Sequence, residues 1–132
     1  MSITGRCYCG EITYKAEGEP IMRAQCHCRE CQYISGGMPN VIMGFAADGF
    51  VYTSGEVKIH KRPGAETPAH REFCPSCGTH ILTRPAEMDH MVILKVGTLD
   101  EPSLFGQAEL ALQLADMQSF HSVPEGIPAF QR

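Results

Sequence analysis

The sequence predicts a small all-β protein, and three observations carry that expectation. Turn signals recur throughout, supplied by 13 glycines and 9 prolines spread over 132 residues. The segments between them are short and either alternate in polarity or carry β-branched residues. Only one segment, near the C-terminus, is built mainly from strong helix formers. Many short strands separated by turns make a small barrel or a pair of sheets. Hydrophobic residues make up 43% of the chain, enough for a real core, and the length suits one domain over residues 1–132.

Taken in order, "EITYKAE" alternates and places Ile12, Tyr14 and Ala16 on one face. A short helical turn is expected at "CRECQ". "NVIMGFA", "FVYTS" and "VKIHK" predict three successive strands, and "THILTR" and "MVILKVG" predict two more. In "AELALQLADM" two rules conflict. Composition favours helix, whereas Leu110, Leu112 and Leu114 alternate as in a strand. We take the strand. The tail "SVPEGIPAFQR" is expected to run extended along the surface. Met38, Met43, Met88, Met91 and Met117 are expected as core fillers.

The formal net charge is −4 and no run of like charge occurs, which argues against a nucleic-acid binder. "MSITGRCYCG" lacks the basic start and apolar run of a secretory signal. The longest apolar segments, such as "MVILKVG", are too short to span a bilayer. A soluble, cytoplasmic protein with no membrane partner is expected.

Seven cysteines is an odd count, unlike a secreted disulfide scaffold. In a reducing compartment, clustered cysteines are more often metal ligands than bridges. They sort into Cys7-x-Cys9, Cys26-x-Cys28-x-x-Cys31 and Cys74-x-x-Cys77. Residues i and i+2 of an extended chain point the same way, so each Cys-x-Cys presents two sulfurs together. Cys-x-x-Cys followed by Gly78 is a zinc knuckle, whose turn aims backbone amides at the sulfurs. A closed structural zinc takes four ligands. The economical partition therefore joins Cys7, Cys9, Cys74 and Cys77, and leaves Cys26, Cys28 and Cys31 as a second centre. Two zinc ions per chain are expected.

Three protein ligands make the pattern of a catalytic zinc. Three thiolates around a dication sum to −1, which suits a further thiolate better than the activation of water. A small-molecule thiol is the substrate class this predicts. Two alternatives stay open. A histidine, from among His27, His70, His80 and His121, would close the second site and make it structural. A redox pair at Cys28 and Cys31 would need no metal. His27, between two ligands, should point the opposite way and face solvent. Arg29 is placed to meet a substrate carboxylate or to offset thiolate charge. Lys61 and Arg62 read as the surface of a hairpin. Amides of Ser35, Gly36 and Gly37 can bind an anion or form a plain turn.

"GRCYCGEITY", "CHCRECQ…SGG", "FCPSCGTHI", "VGTLDEPS" and "EGIPAF" occur here in that order. In this the chain resembles the glutathione-dependent formaldehyde-activating enzymes, a family that includes centromere protein V. The resemblance covers about residue 5 to residue 130. It implies an Mss4-like β fold, a structural zinc on Cys7, Cys9, Cys74 and Cys77, and a catalytic zinc on Cys26, Cys28 and Cys31. It also implies a carbon–sulfur lyase activity, the condensation of formaldehyde with glutathione to S-(hydroxymethyl)glutathione. The centromere relative points to the alternative of a non-catalytic, zinc-stabilised binding module. Where the family often has Pro-Trp near the C-terminus, this chain reads "MQSFHSV" and has no tryptophan; Phe120 is expected in that place. A methionine sulfoxide reductase, with a related fold, would need a redox cysteine late in the chain, and none follows Cys77.

Overall fold

The computed structural model describes all 132 residues. Ten strands form two sheets. The smaller holds β1 (Ser2–Arg6), β2 (Thr13–Glu17) and β5 (Phe50–Ser54), in the order β1-β2-β5. The larger holds β3 (Met22–Cys26), β4 (Asn40–Ala46), β6 (Lys58–His60), β7 (His70–Phe73), β8 (His80–Arg84), β9 (Met91–Lys95) and β10 (Leu110–Leu112). Its order is β10-β3-β4-β9-β8-β7-β6, antiparallel throughout except for the parallel pair β10–β3. One short helix, α1 (Arg29–Ser35), and a few single 3₁₀ turns complete an all-β architecture.

The core fills the space between the sheets. Ile3, Ile12, Tyr14 and Ala16 of the small sheet and its turn face Met43, Phe45, Leu82, Val92 and Leu94 of the large one. Ile12, Tyr14 and Ala16 are all buried, as the alternation predicts. Burying a large apolar side chain is worth about 1.5–3 kcal/mol, so this layer carries the fold. The Tyr14 hydroxyl, deep in that layer, is matched by Thr98 Oγ1 at 2.7 Å. Gly5 lets the two close: a Cβ there would collide with the Tyr14 ring and the Thr98 carbonyl. A second, smaller cluster holds Ala24, Cys26, Cys31 and Ile42, with Met22, Ile93, Leu110 and Leu112 packed on it.

The period decides "AELALQLADM" for strand. Its composition of helix formers is overridden because β10 pairs with β3, Leu110 opposite Ala24 and Leu112 opposite Cys26. The tail is extended on either side of a turn at residues 125–127, where Gly126 takes φ +82°, a break the extended reading did not include. It is also bonded: Ala111 N–H donates to Pro128 O at 3.0 Å and Phe130 N–H to Ala111 O at 2.9 Å. It thereby covers the outer edge of β10.

Strands β3 and β7 were not visible as strands, because "MRAQC" and "HREF" carry charged and polar residues. Tertiary partners absorb them. Glu72 on β7 is buried yet accepts from Tyr52 Oη at 2.7 Å, from Arg84 Nε at 2.7 Å and from His70 Nε2 at 2.7 Å. Because Tyr52 lies on β5, this carboxylate ties the two sheets together. Burial alone would raise its pKa, but the bonds from Arg84, Tyr52 and His70 hold it below the usual carboxylate value.

Two expectations fail. Of the five methionines, only Met43 and Met91 are buried; Met38, Met88 and Met117 are 52%, 43% and 39% exposed. Those three lie in turns at the rim of the sheets, where there is no core to fill. His27 is 0% exposed rather than facing solvent. It does point away from the sulfurs, as alternation requires, but the face opposite is covered by the segment around His121. His27 Nδ1 lies 3.0 Å from His121 Nδ1. Gln118 N–H donates to that same His121 nitrogen at 3.2 Å, so the shared proton sits on His27 Nδ1. His121 Nε2 in turn donates to Gly37 O at 2.8 Å.

Candidate metal centres

The first centre forms where the β1–β2 turn meets the β7–β8 turn. The sulfurs of Cys7, Cys9, Cys74 and Cys77 all lie within 4.8 Å of one another. Cys7 and Cys9 are 3.6 Å apart, and Cys9 and Cys74 are 3.8 Å apart. A tetrahedral ion with sulfurs at about 2.3 Å sets them about 3.8 Å from each other, so the spacing fits. Cys7 and Cys74 are buried in the main core. Backbone amides aim at the sulfurs, from Ile12 to Cys7 at 3.3 Å and from Cys77 to Cys74 at 3.5 Å. Gly78 follows with φ +77°, the left-handed backbone the knuckle requires. The Thr79 hydroxyl lies 3.1 Å from Cys77 Sγ and lowers that thiol to about 5, helped by backbone amides. Four soft, partly ionised sulfurs and nothing else make a closed donor set suited to zinc.

The second centre is local. β3 delivers Cys26, the chain turns, and Cys28 caps the N-terminus of α1, its sulfur accepting from Cys31 N–H at 3.2 Å. Cys31 sits one turn on, so all three sulfurs converge within 4.8 Å. Cys26 and Cys31 are buried and Cys28 is half-buried. The neighbouring Cys26 and Cys31 sulfurs hold the Cys28 thiol well below the usual value, while Cys26 itself is pushed up by Cys28 and Cys31. Cys28 and Cys31 sulfurs are 2.8 Å apart, so an ion must part them by about 1 Å to bind.

No histidine or carboxylate joins this trio. His27 and His121 pair with each other on the far side. His70 is bound to Glu72, and His80 Nε2 donates to Leu82 O at 3.0 Å. The chain thus supplies three sulfurs and no fourth ligand.

The surroundings hold the loop in place. Gln32 Nε2 donates to His27 O at 2.8 Å and to Asp116 O at 2.9 Å, tying α1 to the C-terminal segment. Arg29 bonds Gln32 Oε1 and lies over the Tyr33 ring, 5.1 Å from its centroid. Amides of Gly36 and Gly37 both donate to Gln32 O and close the helix, so the plain-turn reading of that loop holds. Arg62 is a surface residue in the β6–β7 connection, as expected, and pairs with Glu30 at 3.1 Å. Phe120 is exposed and packs edge-on against His121, ring centroids 4.9 Å apart.

Residues 2–113 match the glutathione-dependent formaldehyde-activating enzyme family. The chain belongs to that family. The match contains all seven cysteines. A crystal structure of a Rhodobacter sphaeroides protein, a structural genomics target, is similar over 97% of this chain and 99% of that one, with a TM-score of 0.63. At 15% identity that likeness is one of fold. No curated protein matches the chain. No helix is long and apolar enough to cross a membrane.

One residue near the triplet escaped sequence reasoning. Lys95, at the end of β9, is buried at 8% exposure beside the cysteine cluster. Its signal was a lone lysine in the apolar run "MVILKVG", a residue type seldom buried without a reason.

Proposed function

We propose that this member of the family is a carbon–sulfur lyase-type enzyme, a single domain over residues 1–132, that joins a thiol such as glutathione to a small aldehyde such as formaldehyde. In this reading Cys26, Cys28 and Cys31 hold the catalytic zinc, and Cys7, Cys9, Cys74 and Cys77 hold a structural one. A zinc ion on the triplet would supply a place for the incoming sulfur and favour its thiolate at neutral pH. The observation that carries this reading is the contrast in donor sets: four sulfurs close the first centre, whereas the second has three and no fourth side chain.

The reaction adds a thiol across a carbonyl. A sulfur–carbon bond forms, the carbon–oxygen π bond breaks, and the thiol proton ends on the new hydroxyl. No electron acceptor is needed. The chain's own residues hold the site for this. Cys28 caps α1 and so fixes the helix to the cluster, while Gln32 anchors that helix to the C-terminal segment. Cys31 and Cys26, buried in the small apolar cluster, keep one side of the site dry, and half-buried Cys28 is the most accessible of the three sulfurs. Orientation of two dilute reactants supplies most of the gain.

The test is exchange spectroscopy by nuclear magnetic resonance on formaldehyde, glutathione and their adduct. Protein carrying two zinc ions is expected to speed the exchange above the blank. If fully loaded protein leaves the exchange rate at the blank value, the reading fails and the zinc-stabilised binding module takes its place.

A further inference from the structure

The sheet face that carries the triplet also carries a buried cation. Register fixes this: Lys95 pairs with Ile42, Ile42 pairs with Ala24, and Cys26 lies two positions beyond Ala24 on the same face of β3. Lys95 Nζ donates to Thr83 Oγ1 at 2.9 Å, and no carboxylate lies within ion-pair distance of it. A buried ammonium without a counter-ion is costly. Burial pushes Lys95 down to about 8, which leaves it cationic at neutral pH.

The other basic groups nearby are accounted for. Arg71 also reaches Thr83 Oγ1, at 3.4 Å, but its guanidinium is matched by Glu30 at 2.6 Å. His80 is driven to about 3 by burial and by Lys95 and Arg71, so it is neutral. Lys95 is the one cation on this face whose charge no side-chain carboxylate balances.

We propose that Lys95 is the electrostatic counter-ion of the triplet, a positioning residue whose charge offsets the negative charge brought by an incoming thiolate. This rests on the reading above, that the triplet holds zinc and receives a thiol. Three thiolates and a dication sum to −1, and Lys95 brings the sum to zero. A bound thiolate adds one negative charge in a half-buried place, where an ammonium on the same sheet face is worth far more than in water. Thr83 holds the ammonium on the sheet face and leaves two of its protons free.

The experiment measures thiol binding, independently of turnover, by calorimetry on the full chain loaded with two zinc ions. Glutathione and mercaptoethanol serve as probes. Lys95→Met keeps the length and removes the charge; it is expected to weaken both thiols roughly tenfold, the equivalent of a one-unit change in the thiol's pKa. Lys95→Arg is expected to restore most of that affinity. Thr83→Val, which frees the ammonium, is expected to cost a few-fold by roughly the same logic. Unchanged affinity in zinc-loaded Lys95→Met overturns the proposal. So does a loss confined to glutathione, which would make Lys95 a receptor for its carboxylates instead. Equal losses in the Met and Arg variants would also overturn it, since shape rather than charge would then be at work. If the wild-type triplet takes up no metal while the tetrad does, the enzymatic reading falls, and this proposal with it. Should Lys95→Met fail to fold, Lys95→Gln, which also removes the charge but keeps a polar end to meet Thr83, takes its place with the same expected loss and the same overturning result.

Discussion

The tetrad and the triplet use one ligand type in two settings. Cys9 and Cys74 meet across 65 residues of chain, and their cluster sits in the main core, joining a turn of the small sheet to a turn of the large one. Cys26, Cys28 and Cys31 come from one loop, next to a satellite cluster on β3, β4 and β10. Closing a long loop removes much chain entropy from the unfolded state, and closing a six-residue one removes little. Under the proposed reading, a metal in the first place would act on folding, and one in the second would be free to act on a ligand. The difference teaches that sequence separation between ligands, as much as their number, assigns a site its role.

The largest expected effect breaks the tetrad. Cys74→Ser leaves three sulfurs in a buried place and is expected to destabilise the protein by on the order of 5–10 kcal/mol, the scale of structural zinc binding. Thermal melts with and without a chelator check this: the chelator should lower the wild-type midpoint steeply. A Cys74→Ser protein that melts with the wild type would remove the distinction between the two centres.

Breaking the triplet should do the reverse. Cys28→Ser is expected to return thiol–aldehyde exchange to the blank, a loss of at least about 100-fold in any catalysed component, since even outer-shell changes cost 10–100-fold. Its melting midpoint should fall far less than that of Cys74→Ser. Comparable losses of stability at both sites would contradict the assignment of roles.

The third test asks how much of the join between the sheets is metal-free. Glu72 does by hydrogen bonds what the tetrad does by sulfur, linking Tyr52 of β5 to β7 and β8. Glu72→Gln is expected to cost about 2 kcal/mol, because a buried carboxylate that accepts from Tyr52, Arg84 and His70 is replaced by a neutral amide that matches them less well. Folding lowers the carboxyl's proton affinity, so its contribution is full above the ordinary value of 4.5 and is lost as pH falls through the lower, folded value. Acid titration of the melting midpoint should therefore show a step in the wild type that is smaller in the variant.

The smallest effect is local to the triplet. Gly36 closes α1 at φ +86°, and a Cβ there meets no neighbour, so Gly36→Ala isolates the backbone cost. About 1 kcal/mol is expected. Hydrogen exchange should show the loss confined to residues 29–37, with the tetrad amides unchanged.

Much of this protein is legible in one dimension. The two cysteine pairs and the triplet follow from local backbone geometry, because Cys-x-Cys and Cys-x-x-Cys present their sulfurs wherever the chain goes, and counting four ligands to a closed zinc joins the pairs. The strand of "EITYKAE" and even that of "AELALQLADM" follow from period, because one buried face imposes alternation. What packs over the other face is not local. Alternation aimed His27 away from the sulfurs, but only the return of the C-terminal segment made that side an interior. Period likewise put Lys95 on a strand, but only the register β3–β4–β9 brought it to the triplet. "HREF" looks like a loop until Tyr52 and Arg84 arrive to satisfy Glu72. The sequence by itself determined the cysteine clusters and the strands of clear period, since both depend on neighbours along the chain. The tertiary structure alone decided which polar groups are buried and what faces them, since burial and charge pairing depend on residues distant in sequence.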